Sequence, residues 1–408
     1  MKKIVVTGMG AVTPVGIGVE NYWNNITAGA SGIDTIKTFD PSELAVQIAG
    51  EVKNFNPSDY LPKDLIRKTD PFMQYAYIAA EEAMKQSGIE IEPERTGIVM
   101  GTAMAGIATI AYTQEALTGA SHKKVGPRFI PKILGNIAAA NIAIDYNIQG
   151  PSFTVSTACS SGGDAINTAC MCMQSGKADI MLAVGAESVL CPLVIYSLAN
   201  AKALSRRNDS PSTASRPFDV TRDGFVIGEG GGALVLETEE HALARGAKIY
   251  AEIRGCGNTD DAYHVTAPHP EGRGAIACMK QAIAEAGINP YDIGYINAHG
   301  TATNKGDTVE TSSIKKVFGN TLPYVSSTKG ATGHMMGAGG ITETITCVKA
   351  IETGTVPPTI NLNEVDPECA GIDFVANTAK KAEINFAMSN AFGFGGQNSS
   401  IIVGKYGK

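Results

Sequence analysis

Residues 151–187 read PSFTVSTACSSGGDAINTACMCMQSGKADIMLAVGAE, a strand–turn–helix–strand pattern that is typical of α/β proteins. The pattern predicts a short strand over residues 153–156, a turn of small residues centred on Cys159, and a helix over residues 160–174. The apolar run 180–184 then predicts a buried strand. A cysteine at a strand-to-helix turn lies where free N–H groups and the helix dipole favour a thiolate. Cys159 is therefore a candidate nucleophile, although a buried structural cysteine is the more common case.

The composition indicates a large and strongly buried protein. The chain has 408 residues, too many for one small core, so two domains or one large layered fold are expected. Charged residues make up 18% of the chain, below the roughly 25% typical of soluble domains, and there are 46 glycines. The net charge of −7 disfavours nucleic acid as a partner.

The sequence predicts neither export nor membrane insertion. The chain begins MKKIVVTGMGAVTP, where glycine and proline soon interrupt the apolar run, so we expect a strand there and not a signal peptide. No apolar run approaches the roughly 18–20 residues of a membrane span. The eight cysteines are scattered, which favours reduced thiols in a cytoplasmic enzyme. Cys170 and Cys172 lie in one predicted helix without a second pair, so no zinc site is predicted.

The chain contains an internal duplication. The helical segment 72–89, FMQYAYIAAEEAMKQSGI, is similar to 273–288, RGAIACMKQAIAEAGI, and both end at Gly-Ile. Four further pairs of segments match, namely 96–102 with 293–301, 155–159 with 325–329, 176–179 with 354–357, and 4–12 with 249–258. The sequence therefore predicts two similar halves, 1–249 and 250–408, that pack as one pseudo-symmetric unit.

The duplication places Cys159 and Lys329 at equivalent strand-to-helix turns, which we expect to face a shared cleft. Two of the six histidines, His299 and His334, lie in Gly- and Thr-rich turns where catalytic groups are common. One histidine in such a turn is more often structural. A cysteine turn, two histidines and a lysine together favour catalysis.

Four separated segments resemble the signature motifs of the β-ketoacyl-[acyl-carrier-protein] synthases. They are 155–162 (VSTACSSG), 299–303 (HGTAT), 326–337 (SSTKGATGHMMG) and 392–398 (FGFGGQN), and the resemblance extends over essentially the whole chain. It is greatest with the elongating, fatty-acid type called synthase II. That family has the thiolase fold, in which two βαβαβαββ halves form a five-layer α-β-α-β-α sandwich, and its members are typically homodimers. The resemblance implies the same fold here.

The resemblance implies a decarboxylative Claisen condensation that begins at Cys159. An acyl group moves from a carrier thioester to Cys159, and the backbone N–H groups of Cys159 and Phe394 form the oxyanion hole. Malonyl-carrier protein then loses CO2, and the resulting enolate attacks the acyl-cysteine while His299 and His334 donate to its oxygen through neutral Nε2–H groups. The chain is thereby elongated by two carbons.

Lys329 is implied to keep this arrangement in register, with Glu343 as its expected partner. A buried lysine and a buried glutamate are costly unless they pair, so we expect contact between them or with the histidines. The alternative for Glu343 is a solvated helix residue.

The family also implies residues that bind the substrate. Thr301 and Thr303 would hydrogen-bond the amides of a phosphopantetheine arm. The acyl pocket would be lined by Met104, Phe129, Leu198 and Phe392, with Phe394 as a gate, although core packing explains any single one equally well. An acidic carrier protein would dock on a basic rim made from Arg67, Lys68, Lys123, Lys124, Arg128 and Lys202, although scattered basic residues are usually plain surface.

No metal or organic cofactor is implied, because the phosphopantetheine arrives on the acyl carrier protein. The opening Gly8-Met-Gly10 lacks the third glycine of a dinucleotide-binding loop, so a nicotinamide site is not predicted.

Three departures from the family pattern stand out: Phe218 in place of a common Trp, GEGGG at 228–232, and the charged segment PRFIPK at 127–132. The last leaves the preferred chain length open, because it borders the partner's acyl pocket.

Three other functions share features with this sequence. A thiolase would use two cysteines, and the absence of any cysteine beyond Cys369 disfavours it. A specialised polyketide or aryl-polyene ketosynthase would share the motifs, so the sequence leaves it open. A non-catalytic chain-length factor lacks the active cysteine. The presence here of Cys159 together with His299, His334 and Lys329 argues against that function. The sequence does not determine acyl length, unsaturation or the carrier protein.

Overall fold

The computed structural model describes residues 2–119 and 125–408. The strands in these ranges are β1 (Ile4–Thr13), β2 (Gly16–Ile17), β3 (Asp34–Thr35), β4 (Ile48–Ala49), β5 (Thr96–Gly101), β6 (Ser152–Val155), β7 (Ile180–Glu187), β8 (Gly230–Thr238), β9 (Ala251–Asp260), β10 (Ile293–Asn297), β11 (Tyr324–Ser326), β12 (Thr355–Val356), β13 (Asp373–Phe374), β14 (Lys380–Lys381), β15 (Phe386–Phe392) and β16 (Gln397–Gly404). The helices are α1 (Val19–Thr27), α2 (Lys63–Lys68), α3 (Pro71–Ser87), α4 (Ile107–Thr118), α5 (Phe129–Ile133), α6 (Asn136–Tyr146), α7 (Ser161–Gln174), α8 (Pro192–Asn200), α9 (Glu239–Ala244), α10 (Arg273–Ala286), α11 (Asn304–Phe318), α12 (Lys329–Thr332) and α13 (Gly339–Thr353).

The predicted elements of residues 151–187 are confirmed as β6, a turn, α7 and β7. The opening strand is confirmed as well, and every residue of β1 is buried. A strand that is buried on both faces reads as a near-continuous apolar run, which explains its composition.

One large sheet runs through the described part of the molecule, in the order β13-β11-β10-β15-β16-β9-β1-β8-β7-β5-β6, with β2 paired to β1. From the centre of the sheet outward, one side is β1-β8-β7-β5-β6 and the other side is β9-β16-β15-β10-β11. On each side the strands are the first, fifth, fourth, second and third of their own set along the chain. The directions also match: β5 is parallel to β6 and β7, and β10 is parallel to β11 and β15. The antiparallel pair β7–β8 in the first half corresponds to the antiparallel pair β15–β16 in the second half. The predicted duplication of the α/β fold is therefore confirmed.

The helices and the two halves of the sheet form five layers. Helix α3 covers the outer face of β1, β8 and β7, and α10 covers the outer face of β9 and β16. Helices α7 and α13 pack on each other between the two halves: α7 contacts β7, β5 and β16, and α13 contacts β15 and β8. The halves join where β1 pairs with β9 over only Ile4–Val6 and Ala251–Ile253. The order of layers is α-β-α-β-α, as the resemblance implied.

The central helices α7 and α13 approach each other at glycines. A Cβ atom on Gly340 would lie 2.3 Å from the backbone nitrogen of Gly163, and one on Gly162 would lie 2.7 Å from the carbonyl oxygen of Gly337. Only glycine permits this separation. The close crossing brings the N-terminus of α7, next to Cys159, against the segment that precedes α13.

Among the helices of the described ranges, none combines the length and the apolar character that crossing a membrane requires.

Candidate active site

The turn between β6 and α7 holds Cys159 in a constrained backbone. A single 3-10 turn, Ala158–Ser160, leads directly into α7, and Ala158 has φ 51°, a left-handed conformation that residues with a side chain rarely adopt. Asp164, in the first turn of α7, accepts hydrogen bonds from the hydroxyls of Thr157 (2.6 Å) and Ser160 (3.1 Å). The bend is therefore fixed on both sides of the cysteine.

The glycine-rich loop 393–396 lies directly against this turn. A Cβ on Gly393 would be 2.7 Å from the carbonyl oxygen of Thr157, so the close approach requires glycine there. Gly395 and Gly396 have φ 92° and 85°, which bends the loop sharply. The backbone N–H groups of Phe394 and Cys159 both lie within hydrogen-bonding reach of the Cys159 sulfur. The two amides expected in an oxyanion hole are thus both beside the sulfur.

His334 and His299 complete a compact cluster around the sulfur. His334 Nε2 lies 3.0 Å from Cys159 Sγ, and the two imidazole rings meet edge to face with centroids 5.3 Å apart. The backbone of His334 is anchored by its N–H to Val226 O (2.7 Å) and by its carbonyl oxygen, which accepts from Gly228 N–H (2.9 Å).

His299 follows β10, and a carboxylate from α11 holds its backbone. Glu310 accepts hydrogen bonds from the N–H groups of His299 (2.8 Å) and Gly300 (2.7 Å), one on each oxygen. Burial raises the pKa of Glu310 to about 7. The ring of Phe392 lies 5.9 Å from the imidazole of His299, centroid to centroid. The turn that carries His299 is therefore held by hydrogen bonds to the Glu310 carboxylate, and the ring of Phe392 lies beside the imidazole.

Burial favours the neutral forms of the Cys159 thiol and of both imidazoles. Burial, and next the nearby charge of Lys329, holds the pKa of His299 and His334 well below the ordinary value. Burial raises the pKa of Cys159 to about 11, although the Phe394 N–H and the Lys329 charge oppose this. The expectation of a thiolate at neutral pH is thus corrected. Removal of the sulfur from water raises the thiol pKa by more than the N–H groups and the positive charge around it lower that pKa.

Lys329 and Glu343 form a buried, hydrogen-bonded ion pair that links α12 to α13. Only 2% and 3% of their side chains are exposed, so the alternative of a solvated Glu343 is wrong. The carbonyl oxygen of Lys329 also accepts from the Ser215 hydroxyl at 2.7 Å. Burial raises the pKa of Glu343, and the charge of Lys329 opposes that rise. The pair brings a positive charge close to both histidines.

The cluster also has the composition of a possible metal site. The ligand atoms of Cys159, His299 and His334 all lie within 4.8 Å of one another, and thiolate with imidazole suits zinc. Zinc-bound histidines usually donate their other ring N–H to an oxygen atom. Here Nδ1 of each histidine has no hydrogen-bond partner among the described residues. This donor set fits a nucleophile with hydrogen-bond donors better than a metal centre.

The structure brings some of the predicted substrate residues to the cluster and leaves others apart. The hydroxyls of Thr301 and Thr303 are 3.1 Å apart in the turn after His299. Leu198 packs on the apolar cluster that contains Cys159. Two further side chains are open to solvent, Phe394 with 40% and Met104 with 36% exposed. Phe129 begins α5, is partly exposed and does not belong to the apolar cluster of Cys159, so the chain does not place it at the sulfur.

The predicted basic rim is partly assembled around Asp64. Arg67 and Lys68 of α2 contact its carboxylate at 2.8 and 3.9 Å. The Arg67 hydrogen bond lowers the pKa of Asp64, with smaller contributions from the charges of Lys68 and Arg128. Lys202 is exposed after α8. Lys123 and Lys124 lie outside the described residues.

Several buried acidic residues around the site were not predicted from the sequence. Glu187 accepts from three backbone N–H groups, Glu310 holds the His299 turn, and Asp307 accepts from the N–H groups of Phe218 (2.7 Å) and Ala302 (3.2 Å). The sequence signal for Glu187 was an acidic residue at the end of a buried strand, and for Asp307 and Glu310 it was their place on the helix after the His299 turn. Phe218, one of the departures, is fully buried and stacks on Phe374 with centroids 4.4 Å apart.

Comparison with known proteins agrees with this geometry. Residues 1–242 match the family model "Beta-ketoacyl synthase, N-terminal domain", and residues 250–363 match "Beta-ketoacyl synthase, C-terminal domain". The chain is 44% identical over 409 residues to the 3-oxoacyl-[acyl-carrier-protein] synthase 2 of Coxiella burnetii (strain RSA 493 / Nine Mile phase I), with 99% of each chain covered.

Two solved structures are similar over their whole length. The ishigamide ketosynthase/chain length factor matches with a TM-score of 0.93 and 34% identity, with 100% of both chains covered. A type II PKS acyl-carrier protein in complex with its ketosynthase, bound to the hexaketide, gives a TM-score of 0.89 and 33% identity, with 99% of both chains covered. The chain belongs to the β-ketoacyl synthase family and is an acyltransferase-class condensing enzyme.

Proposed function

We propose that the chain is a β-ketoacyl-[acyl-carrier-protein] synthase of the elongating, fatty-acid type called synthase II. One observation carries this: Cys159 Sγ lies 3.0 Å from His334 Nε2, with two backbone N–H groups at the sulfur. The Coxiella relative, named a 3-oxoacyl-[acyl-carrier-protein] synthase 2, supports the same reaction. In this proposal residues 1–249 supply the nucleophile, and residues 250–408 supply the histidines and the lysine.

In the first stage, Cys159 takes an acyl group from a carrier thioester. The Sγ–C bond forms, the carrier C–S bond breaks, and the thiol proton ends on the released carrier thiol. With a thiol pKa near 11, few molecules hold a thiolate at neutral pH, so His334 Nε2–H must stabilise the sulfur anion as it forms. The N–H groups of Cys159 and Phe394 stabilise the oxyanion of the tetrahedral intermediate.

In the second stage, malonyl-carrier protein loses CO2, and the electrons of that C–C bond form an enolate. The enolate carbon attacks the acyl-cysteine carbonyl, and the Cys159 C–S bond breaks to regenerate the nucleophile. His299 and His334 stay neutral because burial lowers their pKa, so each donates one Nε2–H to the enolate oxygen. Removing one such donor costs about 3–4 kcal/mol, or about 10²–10³ in rate.

The substrate arrives on an acyl carrier protein. The solved ketosynthase with its bound acyl-carrier protein supports this partnership. Thr301 and Thr303 hold the amides of the phosphopantetheine arm, and no further cofactor is needed. The exposed cations Arg67, Arg128 and Lys202 attract the acidic carrier. Since Arg67 already binds Asp64, its share of the carrier contact is small.

The enzyme acts as a homodimer in the cytoplasm. Strand β6 ends the sheet, and within the described residues it pairs only with β5. Phe153 of β6 is 49% exposed and Ile144 of α6 is 75% exposed. An uncovered edge strand with apolar side chains favours pairing with a second copy. All eight cysteines are unpaired, which suits a reducing compartment.

The test is a condensation assay with purified acyl- and malonyl-acyl carrier protein. Native enzyme is expected to release CO2 and to form a 3-ketoacyl-carrier protein two carbons longer, whereas Cys159→Ala forms none. Production of CO2 without an elongated product would contradict the proposal, because the enolate would then have no acyl-cysteine to attack.

A second candidate is a specialised polyketide ketosynthase, which the TM-score of 0.93 to the ishigamide ketosynthase/chain length factor favours. The same assay separates the two. A polyketide enzyme supplied with excess malonyl-carrier protein adds several unreduced units, whereas the elongating enzyme stops after one. The close grouping of Cys159, His299 and His334 argues against a non-catalytic chain-length factor.

A further inference from the structure

Glu187 is the last residue of β7, and its side chain is completely buried. A carboxylate removed from water is costly unless donors surround it. Four donors do so: the N–H groups of Ala103 (2.6 Å), Met104 (3.1 Å) and Gly337 (3.2 Å), and the hydroxyl of Thr102 (3.1 Å). Each oxygen accepts two of these hydrogen bonds. The carboxylate is therefore a junction that joins β7 to two other segments of the chain.

These donors belong to two segments that border Cys159. Residues 102–104 connect β5 to α4, and Ala103, Ile107, Ala108 and Ala111 pack in the same apolar cluster as Cys159. We call residues 102–111 the pocket wall. Gly337 comes three residues after His334, and Met336 beside it packs in that cluster too. Glu187 thus ties the pocket wall to the turn that carries His334.

The junction has no spare room. A Cβ on Gly337 would lie 2.8 Å from a carboxylate oxygen of Glu187 and 2.8 Å from Cα of Thr102. The wall, the carboxylate and the His334 turn are in direct contact, so a change at Glu187 moves the wall relative to the sulfur.

We infer that Glu187 is a positioning residue that fixes the pocket wall, and thereby determines how well long acyl chains reach Cys159. The inference rests on the proposed function for the identity of its substrate. A short acyl group occupies only the space next to the sulfur. In the proposed function a long chain extends along the wall, where Met104 is expected to line the acyl pocket. The effect of moving the wall therefore grows with chain length.

Glu187→Gln keeps the size of the side chain and removes half of its acceptors. The amide NH2 that replaces one oxygen faces N–H donors and cannot accept from them. Thr102→Val is a milder variant that serves if Glu187→Gln folds poorly. It removes the hydroxyl, which donates to Glu187 and accepts from the Ala105 N–H at 3.2 Å. Glu237→Gln is the matched control, because Glu237 is a completely buried carboxylate whose partners include Arg245 and His241, outside the pocket wall.

The experiment measures single-turnover acylation of Cys159 by butyryl- and dodecanoyl-acyl carrier protein, using intact mass. Because small misplacements are costly, dodecanoyl transfer to Glu187→Gln should slow by about tenfold or more, while butyryl transfer stays within about threefold. Thr102→Val should show the same bias to a smaller degree. Glu237→Gln should slow both transfers equally or not at all.

Alkylation of Cys159 by N-butyl and N-dodecyl iodoacetamide gives a readout that needs no carrier protein. If the native enzyme accepts neither acyl group but Glu187→Gln still discriminates against the dodecyl reagent, the proposed function fails and the wall inference stands. Equal losses with both chain lengths, in the acyl and alkyl series alike, would overturn the inference by showing a merely structural role. Unchanged rates in both folded variants would overturn it too.

Discussion

At the scale of single residues, burial favours the neutral forms of the reactive groups at the site. Cys159, His299 and His334 are all neutral, because burial raises the thiol pKa and lowers the imidazole pKa. Lys329 and Glu343 hold opposite charges in the adjoining interior. The site therefore stabilises negative charge only when the reaction creates it, which suits an oxyanion and an enolate.

The raised pKa of Cys159 predicts a steep pH dependence of its reaction with iodoacetamide. Only the thiolate reacts, and its fraction increases about tenfold per pH unit until the pH reaches the pKa. With a pKa of about 11, the alkylation rate should rise throughout the range from neutral pH to the alkaline limit of folding. Peptide mapping of alkylated Cys159 measures it. A plateau near or below the ordinary thiol pKa would contradict the neutral thiol.

Lys329→Met should destabilise the protein because it leaves the Glu343 carboxylate buried without its cation. Breaking a buried pair in this way costs about 3–5 kcal/mol. Glu343 Oε2 already lacks a partner among the described residues, which leaves no alternative donor nearby. Urea unfolding measures the change in the free energy of unfolding.

The matched control is the double variant Lys329→Met with Glu343→Met, which should recover much of the loss because neither charge is left buried. A single variant as stable as the native protein would show that the pair is not coupled.

At the scale of elements, two loops from different halves of the sheet form the oxyanion hole of the proposed mechanism. The 3-10 turn before α7 supplies the Cys159 amide, and the loop between β15 and β16 supplies the Phe394 amide. Their contact depends on Gly393, which allows the loop to lie against Thr157. Ala158, directly before the cysteine, has φ 51°, a conformation that costs free energy for a residue with a side chain.

Gly393→Ala should therefore displace the Phe394 amide from the sulfur. A methyl group 2.7 Å from the Thr157 carbonyl oxygen forces the loop outward, and the loss of one oxyanion donor costs about 10²–10³ in rate. Acylation of Cys159 by acyl-carrier protein measures this. Gly126→Ala is the control, since a Cβ at Gly126 meets nothing within 4 Å. Equal acylation rates in the two variants would refute the role of the loop contact.

At the scale of the whole molecule, the two halves share a central helical layer and leave one apolar edge uncovered. Strand β6 and helix α6 present Phe153 and Ile144 to solvent. In the proposed dimer a second copy covers them.

Phe153→Asp should convert the dimer to monomers, because a charge at the centre of an apolar contact is costly to bury. Light scattering measures the mass. Leu243→Asp, at a 57% exposed position of α9, is the control and should keep the native mass. A native protein that is already monomeric, or a dimeric Phe153→Asp, would contradict the proposed interface.

Much of the fold followed from the sequence because its signals were local. The matching segments 72–89 and 273–288 became α3 and α10, on the two outer faces of the sheet. The resemblance also predicted a site at Cys159, His299 and His334, and the ligand atoms of these residues lie within 4.8 Å of one another.

Other features depended on tertiary contacts that no spacing reveals. The neutral thiol of Cys159 results from burial by distant segments, and Glu187 becomes a junction only when residues 102–104 meet Gly337. Phe129 does not belong to the apolar cluster of Cys159, so its expected place in an acyl pocket stays a prediction.

The most direct test of the central claim is the intact mass of the protein after mixing with a medium-chain acyl-carrier protein. The account predicts that the native chain gains the mass of one acyl group and that Cys159→Ala gains none. If the native chain gains no mass across several chain lengths, or if Cys159→Ala is acylated equally, Cys159 is not the nucleophile and the account is wrong.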